Sequence, residues 1–227
     1  SELQRALVEK PIAVLLTEPG YLGTISDLPP LIEAAHAVDV PVILDAAWGG
    51  HFGFHGALPH HAFQVGADAL ITSTHKALPG YSASALLLAR TNLLSAERLE
   101  QSFETTHTTS PAGAPLASID GVRALLESRG EELIGELLDN IHRFKELVQA
   151  EFPLPIFLYP SDFPAGRFDP SKIVLRVQQL GASGVDIEND LQAKGIRVEM
   201  ADRDTIVFLA TIADRQTDFD FLADALI

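Results

Sequence analysis

The chain of 227 residues contains no cysteine, which excludes disulfide bonds and thiolate metal ligands. It has no apolar run near the roughly 20 residues that span a bilayer, and no recognisable signal peptide. Cations are also few: lysine and arginine total 16 against 31 acidic residues, and the net charge of −15 argues against a nucleic-acid surface. We therefore expect a cytoplasmic protein without a nucleic-acid or membrane partner.

Methionine is nearly absent too: Met200 is the only one, and the chain begins with Ser1. Because a natural chain begins with methionine unless it is processed, we expect a trimmed chain or a fragment. The composition, 47% apolar and 21% charged, is that of a globular protein with a buried core. The length suffices for one large domain with a smaller one attached.

In the first part of the chain, short apolar runs between turn residues predict strands that alternate with helices. The predicted strands span residues 11–17, 40–44, 70–72 and 83–89. Helices are expected after Asp27, with prolines in its first turn, and over 59–65, ended by Gly66. This alternation is the βαβ pattern, so we predict an α/β fold with a mostly parallel sheet flanked by helices.

The second part predicts long helices over 114–128 and 131–150, separated by Gly130. A stretch rich in proline and aromatic residues, 152–170, is typical of a linker. Beyond it, alternating strand and helix patterns cover 173–177, 185–194, 205–210 and 219–227. We therefore expect a partial large domain over 1–150 and a small C-terminal α/β domain over 151–227.

A carboxylate and a lysine follow two of the predicted strands. Asp45 comes directly after one strand, and Lys76 ends the segment 73–76 that follows the next. Parallel strands bring their carboxyl ends to one edge, where open α/β sheets bind ligands. A carboxylate facing the pyridinium nitrogen and a lysine forming an imine are the groups that pyridoxal 5'-phosphate most needs. The pattern predicts an enzyme that uses this cofactor.

Both side chains also have a structural interpretation. Lys76 could be a solvated loop lysine, although a lysine that loses its proton in a shielded site is a nucleophile. Asp45 could simply close its strand or cap the turn that follows.

Four neighbours complete the candidate site. Ala47 is small enough to let a flat ring approach the backbone, and Trp48 either lines the cavity or fills the core. Ser73 and His75 can each donate a hydrogen bond to a phosphate or carboxylate, although Ser73 could equally bond to the backbone.

Other histidines give weaker signals. Four of them lie close together in the sequence: His51, His55, His60 and His61. No carboxylate lies beside them at a metal-binding spacing, so we expect no metal site. A hydroxyl-rich segment begins at His107, and it either caps a helix or faces an anion.

Five motifs together resemble those of one family. In chain order they are Thr17-Glu18-Pro19-Gly20-Tyr21-Leu22-Gly23, Asp45-Ala46-Ala47-Trp48, His51-Phe52-Gly53-Phe54-His55, Ser73-Thr74-His75-Lys76 and His107-Thr108-Thr109-Ser110-Pro111. Over roughly residues 11–130, and more loosely through the tail, the chain resembles the large domain of bacterial ornithine/lysine/arginine decarboxylases. These are pyridoxal-phosphate enzymes of the aspartate-aminotransferase fold.

The resemblance implies α-decarboxylation of lysine, arginine or ornithine to a polyamine-type amine. Lys76 would hold the cofactor as an imine, Asp45 would bind the pyridine nitrogen, and Ala47 would pack on the ring. Ser73 and His75 would lie near the phosphate. After carbon dioxide leaves, Lys76 or His75 would return a proton to the α-carbon. The loop 107–110 would approach a neighbouring subunit's site, which implies a homodimer or a larger homo-oligomer.

The chain departs from the family pattern in two places. We find no Gly/Ser/Thr-rich phosphate loop or ring-stacking histidine before Pro11, and no C-terminal region that completes the substrate pocket. An aminotransferase or another lyase on the same fold stays an alternative, as does a non-catalytic remnant or regulatory partner. A transaminase usually needs an arginine for the substrate carboxylate. The candidates are Arg167, Arg176, Arg197 and Arg203.

Overall fold

The computed structural model describes residues 2–108, 110, 112–178 and 180–227. The chain divides into two compact units. The first comprises Ser1–Gly20, Ile25–Gly53 and Pro59–Glu127, and the second Tyr21–Thr24, Phe54–Leu58 and Ser128–Ile227. The division at Glu127 precedes the domain boundary at residue 150 that the sequence suggests, and that boundary stays a prediction.

Most elements of the first unit come from apolar runs that end at turn residues. They are α1 (Glu2–Val8), β1 (Val14–Thr17), α2 (Leu28–His36), β2 (Val42–Asp45), β3 (Ala69–Ser73), β4 (Ala85–Ala89) and α3 (Ala96–Thr106). A long helix follows, α4 (Gly113–Gln149). The strands form one sheet in the order β1-β2-β3-β4, in which β1, β2 and β3 are parallel and β4 is antiparallel to β3. The predicted mostly parallel sheet flanked by helices is confirmed.

The core of the first unit lies on one face of this sheet. Alternate side chains of β2, Val42 and Leu44, are almost fully buried, as is Leu70 of β3. They pack with Ile32 and Ala35, which share a face of α2 because they are three residues apart. Full burial of one such aliphatic side chain contributes roughly 1.5–3 kcal/mol. This packing fixes the strand ends that carry the site.

The second unit is built on an antiparallel sheet. Its elements after α4 are β5 (Ile173–Arg176), α5 (Gly184–Ala193), β6 (Met200–Ala201), β7 (Thr205–Phe208) and α6 (Gln216–Leu226). The strand order is β5-β7-β6. The rings of Phe144, Phe157 and Phe219 meet in its core. The predicted alternation of strands and helices in this part is confirmed.

Three local predictions were wrong. Residues 59–61 have no regular structure and residues 62–66 form turns, because Gln64 Oε1 and His61 Nδ1 accept the backbone N–H groups of His61 and Phe63 in local bonds that compete with a helix. Gly130 does not end a helix: α4 runs through it for 37 residues, and Gly130 is buried within it. The penalty of about 1 kcal/mol for a helical glycine is small beside the packing of this helix.

The third error concerns residues 152–170. They are not an open linker, since Phe157 is fully buried and bridges to Leu175 of β5. Short 3₁₀ turns at Pro160–Asp162 and Pro164–Gly166 complete the segment. Within the described ranges, no helix combines the length and the apolar character that a membrane crossing requires.

Candidate functional site

The carboxyl ends of β2 and β3 lie side by side in the first unit. Asp45 is the last residue of β2 and pairs with Ile71, two residues before β3 ends at Ser73. Both strands therefore deliver their following segments to the same edge of the sheet. The segment after β2 carries Ala47 and Trp48, and the segment after β3 carries His75 and Lys76.

Asp45 is exposed at this edge, and short hydrogen bonds fix the turn that follows it. Its Oδ1 accepts a hydrogen bond from the Ala47 amide at 3.1 Å. The Ala46 amide donates to the Ile71 carbonyl at 2.7 Å, and the Thr72 hydroxyl donates to the Ala46 carbonyl at 2.9 Å. These bonds join the turn after Asp45 to β3. Asp45 thus does close its strand, as the structural interpretation expected, with one carboxylate oxygen.

Lys76 reaches back to the segment that follows Asp45. Its Nζ lies 4.8 Å from the ring centroid of Trp48, within the distance of a cation–π contact. Trp48 is 8% exposed, whereas Lys76 and Ala47 are half-buried. The structure therefore brings together the amine and the indole ring that the sequence singled out, and Ala47 directly precedes that tryptophan.

His75 and Ser73 flank the lysine segment on its β3 side. Ser73 is 9% exposed and lies at the very end of the strand. His75 Nδ1 lies 2.8 Å from the main-chain carbonyl of Ser84, the residue just before β4. The hydroxyls of Thr74 and Ser84 are 2.6 Å apart, and both side chains are 3% exposed. Sequence reasoning missed Thr74 and Ser84 as individual site residues.

Two glycines let the surrounding loops approach this segment. A Cβ at Gly50 would lie 2.9 Å from the Ser73 carbonyl oxygen. A Cβ at Gly80 would overlap the Thr74 carbonyl oxygen, which accepts a hydrogen bond from the Gly80 amide at 2.7 Å. Because glycine lacks a Cβ, glycines at positions 50 and 80 could have indicated from the sequence that two backbone segments approach closely here.

A small cavity of about 30 Å³ lies beside the strand ends, lined by Glu18, Ala46, Gly50, His61 and Thr72 among others. Glu18 is 5% exposed, and its oxygens accept the Ser26 amide at 2.9 and 3.1 Å. Burial raises the pKa of Glu18 and lowers that of His61, which Arg90 also lowers. A cavity of this size admits about one water molecule and no amino acid.

The remaining histidines do not gather into a metal centre. Among the residues that the structure describes, no three histidine, aspartate or glutamate side chains are grouped to hold an ion. His107 ends α3 instead of starting the next helix: its Nδ1 lies 2.8 Å from the Phe103 carbonyl, and its ring stacks on Phe103. Thr109 and Pro111 of the same motif lie outside the described residues.

A larger cavity of about 540 Å³ belongs to the second unit. Apolar side chains line it, including Val148, Ile156, Leu175 and Leu191. None of the candidate residues contributes to it. The largest of the cavities described above therefore lies away from the predicted site, whose residues stand at the edge of the parallel sheet.

Solved structures define the class of fold. The chain is similar to the constitutive lysine decarboxylase of Escherichia coli, with a TM-score of 0.77 at 22% identity over 95% of this chain and 36% of that chain. It is also similar to the ureidoglycine-glyoxylate aminotransferase of Bacillus subtilis, with a TM-score of 0.73 at 18% identity over 99% of this chain and 62% of that chain. The fold is thus that of aminotransferase-like enzymes, present in part.

The sequence match defines the family. The family model described as Orn/Lys/Arg decarboxylase, major domain, matches residues 2–158, and the chain belongs to this family. It is 36% identical to the arginine decarboxylase of Bacillus subtilis (strain 168), over 98% of this chain and 46% of that protein. It is 33% identical to the arginine decarboxylase of Halalkalibacterium halodurans, over 99% of this chain and 47% of that protein. The chain spans less than half the length of these relatives, and the resemblance inferred from its motifs is confirmed.

Proposed function

We propose that this chain carries the cofactor-binding edge of a pyridoxal-phosphate-dependent decarboxylase that acts on a basic amino acid. The observation that carries the proposal is the position of Lys76 Nζ, 4.8 Å from the ring of Trp48, which follows the strand that ends at Asp45. The relatives named arginine decarboxylase and the lysine decarboxylase structures support arginine or lysine as the substrate. Ornithine is the third amino acid in the family's name, and it is included as a candidate substrate in the product analysis below.

The residues present fit the cofactor. A half-buried amine and an exposed carboxylate follow two neighbouring parallel strands, which supports the binding of a flat pyridine ring between them. When bound, pyridoxal phosphate supplies a conjugated ring that accepts the electron pair left by the departing carboxylate.

Each side chain then has a role in holding or moving charge. Lys76 would bind the cofactor through Nζ, and Asp45 would stabilise the protonated ring nitrogen. Trp48 and Ala47 would form a wall that limits water, and Ser73 would contact the phosphate. His75 would also lie near the phosphate, and either His75 or Lys76 would return a proton to the α-carbon of the substrate.

We also propose that the chain acts as a homodimer or a larger homo-oligomer, as the family resemblance implies. Helix α3 buries none of its residues, and Phe103 on it is 51% exposed, which supports a further contact surface there. Analytical ultracentrifugation tests this, and a monomer at all concentrations would contradict it. The cytoplasmic location stays a prediction.

The decisive experiment is covalent trapping. The purified chain is incubated with pyridoxal phosphate, reduced with borohydride and digested, and the masses of the peptides are measured by mass spectrometry. We expect the added mass on the peptide that contains Lys76, and its loss in Lys76→Ala. Lys10→Ala, which removes an exposed lysine of the same unit, is the matched control. A chain that takes up no cofactor would favour the non-catalytic remnant.

Product analysis separates decarboxylation from transamination. Release of carbon dioxide from arginine, lysine or ornithine supports the proposal, whereas formation of a keto acid supports the aminotransferase alternative. Two of the arginines that the alternative could use are engaged elsewhere in the second unit. Arg203 pairs with Asp204 at 2.8 Å, and Arg176 donates to the Phe157 carbonyl at 3.4 Å.

A further inference from the structure

The imidazole of His75 contacts the main chain of the residue just before β4. Its Nδ1 lies 2.8 Å from the carbonyl oxygen of Ser84. A carbonyl oxygen can only accept a hydrogen bond, so Nδ1 must carry the proton of this contact. In the neutral ring the other nitrogen, Nε2, is then the atom with the free lone pair.

The position of the Ser84 carbonyl is itself fixed. The Thr74 amide donates to it at 3.1 Å, and the next residue, Ala85, pairs with Ser73 in the antiparallel ladder between β3 and β4. The preceding residue, Ala83, has a φ of 64°, a conformation that a non-glycine residue keeps only when its surroundings impose it.

Hydrogen bonds of two buried hydroxyls, those of Ser84 and Thr74, hold this loop, and the donor of each bond can be assigned. The Ser84 hydroxyl donates to the Tyr81 carbonyl at 2.5 Å, which uses its single proton. In the 2.6 Å contact between the two hydroxyls Thr74 is then the donor to Ser84 Oγ, and the Ser84 carbonyl oxygen, 3.4 Å from Thr74 Oγ1, is the more distant acceptor of the same proton. Because both side chains are 3% exposed, water cannot replace either bond without opening the loop.

We propose that Ser84, held by Thr74, is a positioning residue that fixes His75 as the Nδ1–H tautomer and leaves Nε2 to exchange a proton. The catalytic use of Nε2 rests on the proposed function; the tautomer does not. Ser84 acts through the ring of His75, which precedes Lys76, and touches no reacting atom itself. The two hydroxyls thus set which nitrogen of His75 faces away from the Ser84 carbonyl.

The test is nitrogen NMR of the whole chain without cofactor, labelled with ¹⁵N-histidine, in mildly alkaline solution where histidines are neutral. Comparison with His75→Gln assigns the signal. We expect a pyrrole-type Nδ1 and a pyridine-type Nε2 for His75 in the wild type. The opposite tautomer in the wild type overturns the inference, whatever the variants do.

Variants then test the part played by the hydroxyls. Thr74→Val removes one hydroxyl at nearly constant volume and should give a mixture of tautomers, while Thr74→Ser should restore the wild-type spectrum. Ser84→Ala should resemble Thr74→Val. Ser82→Ala, an exposed serine of the same loop, is the control and should change nothing. An unmixed Nδ1–H signal in folded Thr74→Val and Ser84→Ala would contradict the positioning role.

Cofactor attachment is measured separately in the same samples by borohydride trapping on Lys76. A correct tautomer without attachment would refute the proposed function and leave the assignment of His75 intact. Attachment with the opposite tautomer would refute the assignment of His75 and leave the proposed function intact. The two proposals can therefore fail independently.

Discussion

Nζ of Lys76 lies 4.8 Å from the ring centroid of Trp48, and Trp48 is the only tryptophan of the chain. Intrinsic fluorescence of the protein therefore reports directly on the environment of the candidate lysine. We expect pyridoxal phosphate to quench this fluorescence, because a ring bound at Lys76 would lie close enough to the indole to take up its excitation energy. After borohydride reduction and gel filtration the quenching should persist.

Lys76→Ala should abolish the persistent quenching, and Lys10→Ala should retain it at the wild-type level. Equal persistent quenching in both variants would show that the cofactor binds elsewhere. Steady-state emission spectra before and after gel filtration suffice for the measurement.

Replacement of Asp45 should separate cofactor capture from turnover. Asp45→Asn keeps the side-chain oxygen that accepts the Ala47 amide but removes the charge opposite the ring nitrogen. Loss of one well-placed electrostatic group typically lowers kcat by about 10²–10³-fold. We expect a loss of this order in carbon dioxide release from the active substrate, with trapping on Lys76 retained. Asp120→Asn, on the surface of α4, is the control. Unchanged turnover would remove Asp45 from the mechanism.

Gly80 is a steric test of the loop beside Lys76. In Gly80→Ala the new methyl group would overlap the Thr74 carbonyl, so the loop must move, and overpacking of this kind destabilises by roughly 1–3 kcal/mol. We expect a lower urea midpoint and weaker cofactor trapping. Gly121→Ala is the matched control: its methyl group meets nothing within 4 Å, and α4 should gain up to about 1 kcal/mol. Equal midpoints in the two variants would contradict the close packing of Gly80.

The sheet and the candidate site were largely predictable, because their signals are local. Apolar runs that end at Asp45 and before Lys76 specify both the strands and the edge to which they lead. The role of Ser84 was not predictable in the same way. Its contact with His75 depends on β4 lying antiparallel beside β3. The apolar run of β4 does not indicate whether the strand is parallel or antiparallel to its neighbour.

The errors in the helices have a related cause. Glycine has a low helix propensity, so Gly130 predicts the end of a helix. The packing of α4 outweighs this local penalty of about 1 kcal/mol, and the helix continues through Gly130. Phe157 reads as part of a linker because its neighbours are prolines, and only its contact with Phe144 and β5 shows that it belongs to a core. In both cases tertiary packing determines the local structure, and a short stretch of sequence does not contain the residues that make those contacts.

Asp68 anchors the amino end of β3 to its neighbours. Its carboxylate accepts the Val42 amide at 2.8 Å and lies 2.8 Å from His36 Nε2, and its side chain is 7% exposed. In Asp68→Ala the buried Val42 amide would lose this partner, which destabilises by about 1–3 kcal/mol. We expect a fall of this size in the free energy of unfolding by urea. Glu33→Gln, an exposed change on α2, should alter it by less than about 0.5 kcal/mol. Wild-type stability of Asp68→Ala would refute the anchoring role.

Lys145 gives the second unit an unusual dependence on pH. Lys145 is 3% exposed, and its ammonium donates to the carbonyls of Leu158 (3.2 Å) and Lys172 (2.8 Å) and lies 5.2 Å from the ring centroid of Tyr159. Burial lowers the pKa of Lys145 from 10.5 to about 8, although Asp169 and Asp162 oppose the shift. Between these pH values the unfolded chain binds a proton that the folded chain has released. Stability should therefore rise with pH across the window from 8 to 10.5.

The contribution of this group amounts to up to about 3 kcal/mol over the whole window, at about 1.4 kcal/mol for each pKa unit. Lys145→Met should remove the rise, so the difference in unfolding free energy between variant and wild type should shift in favour of the wild type as pH increases. Lys194→Met, which removes an exposed lysine of the same unit, should keep the wild-type slope. Urea titrations at pH 7.5, 9 and 10 measure all three proteins. A difference that stays constant with pH would show that Lys145 remains charged throughout, and its carbonyl contacts would then outweigh its burial.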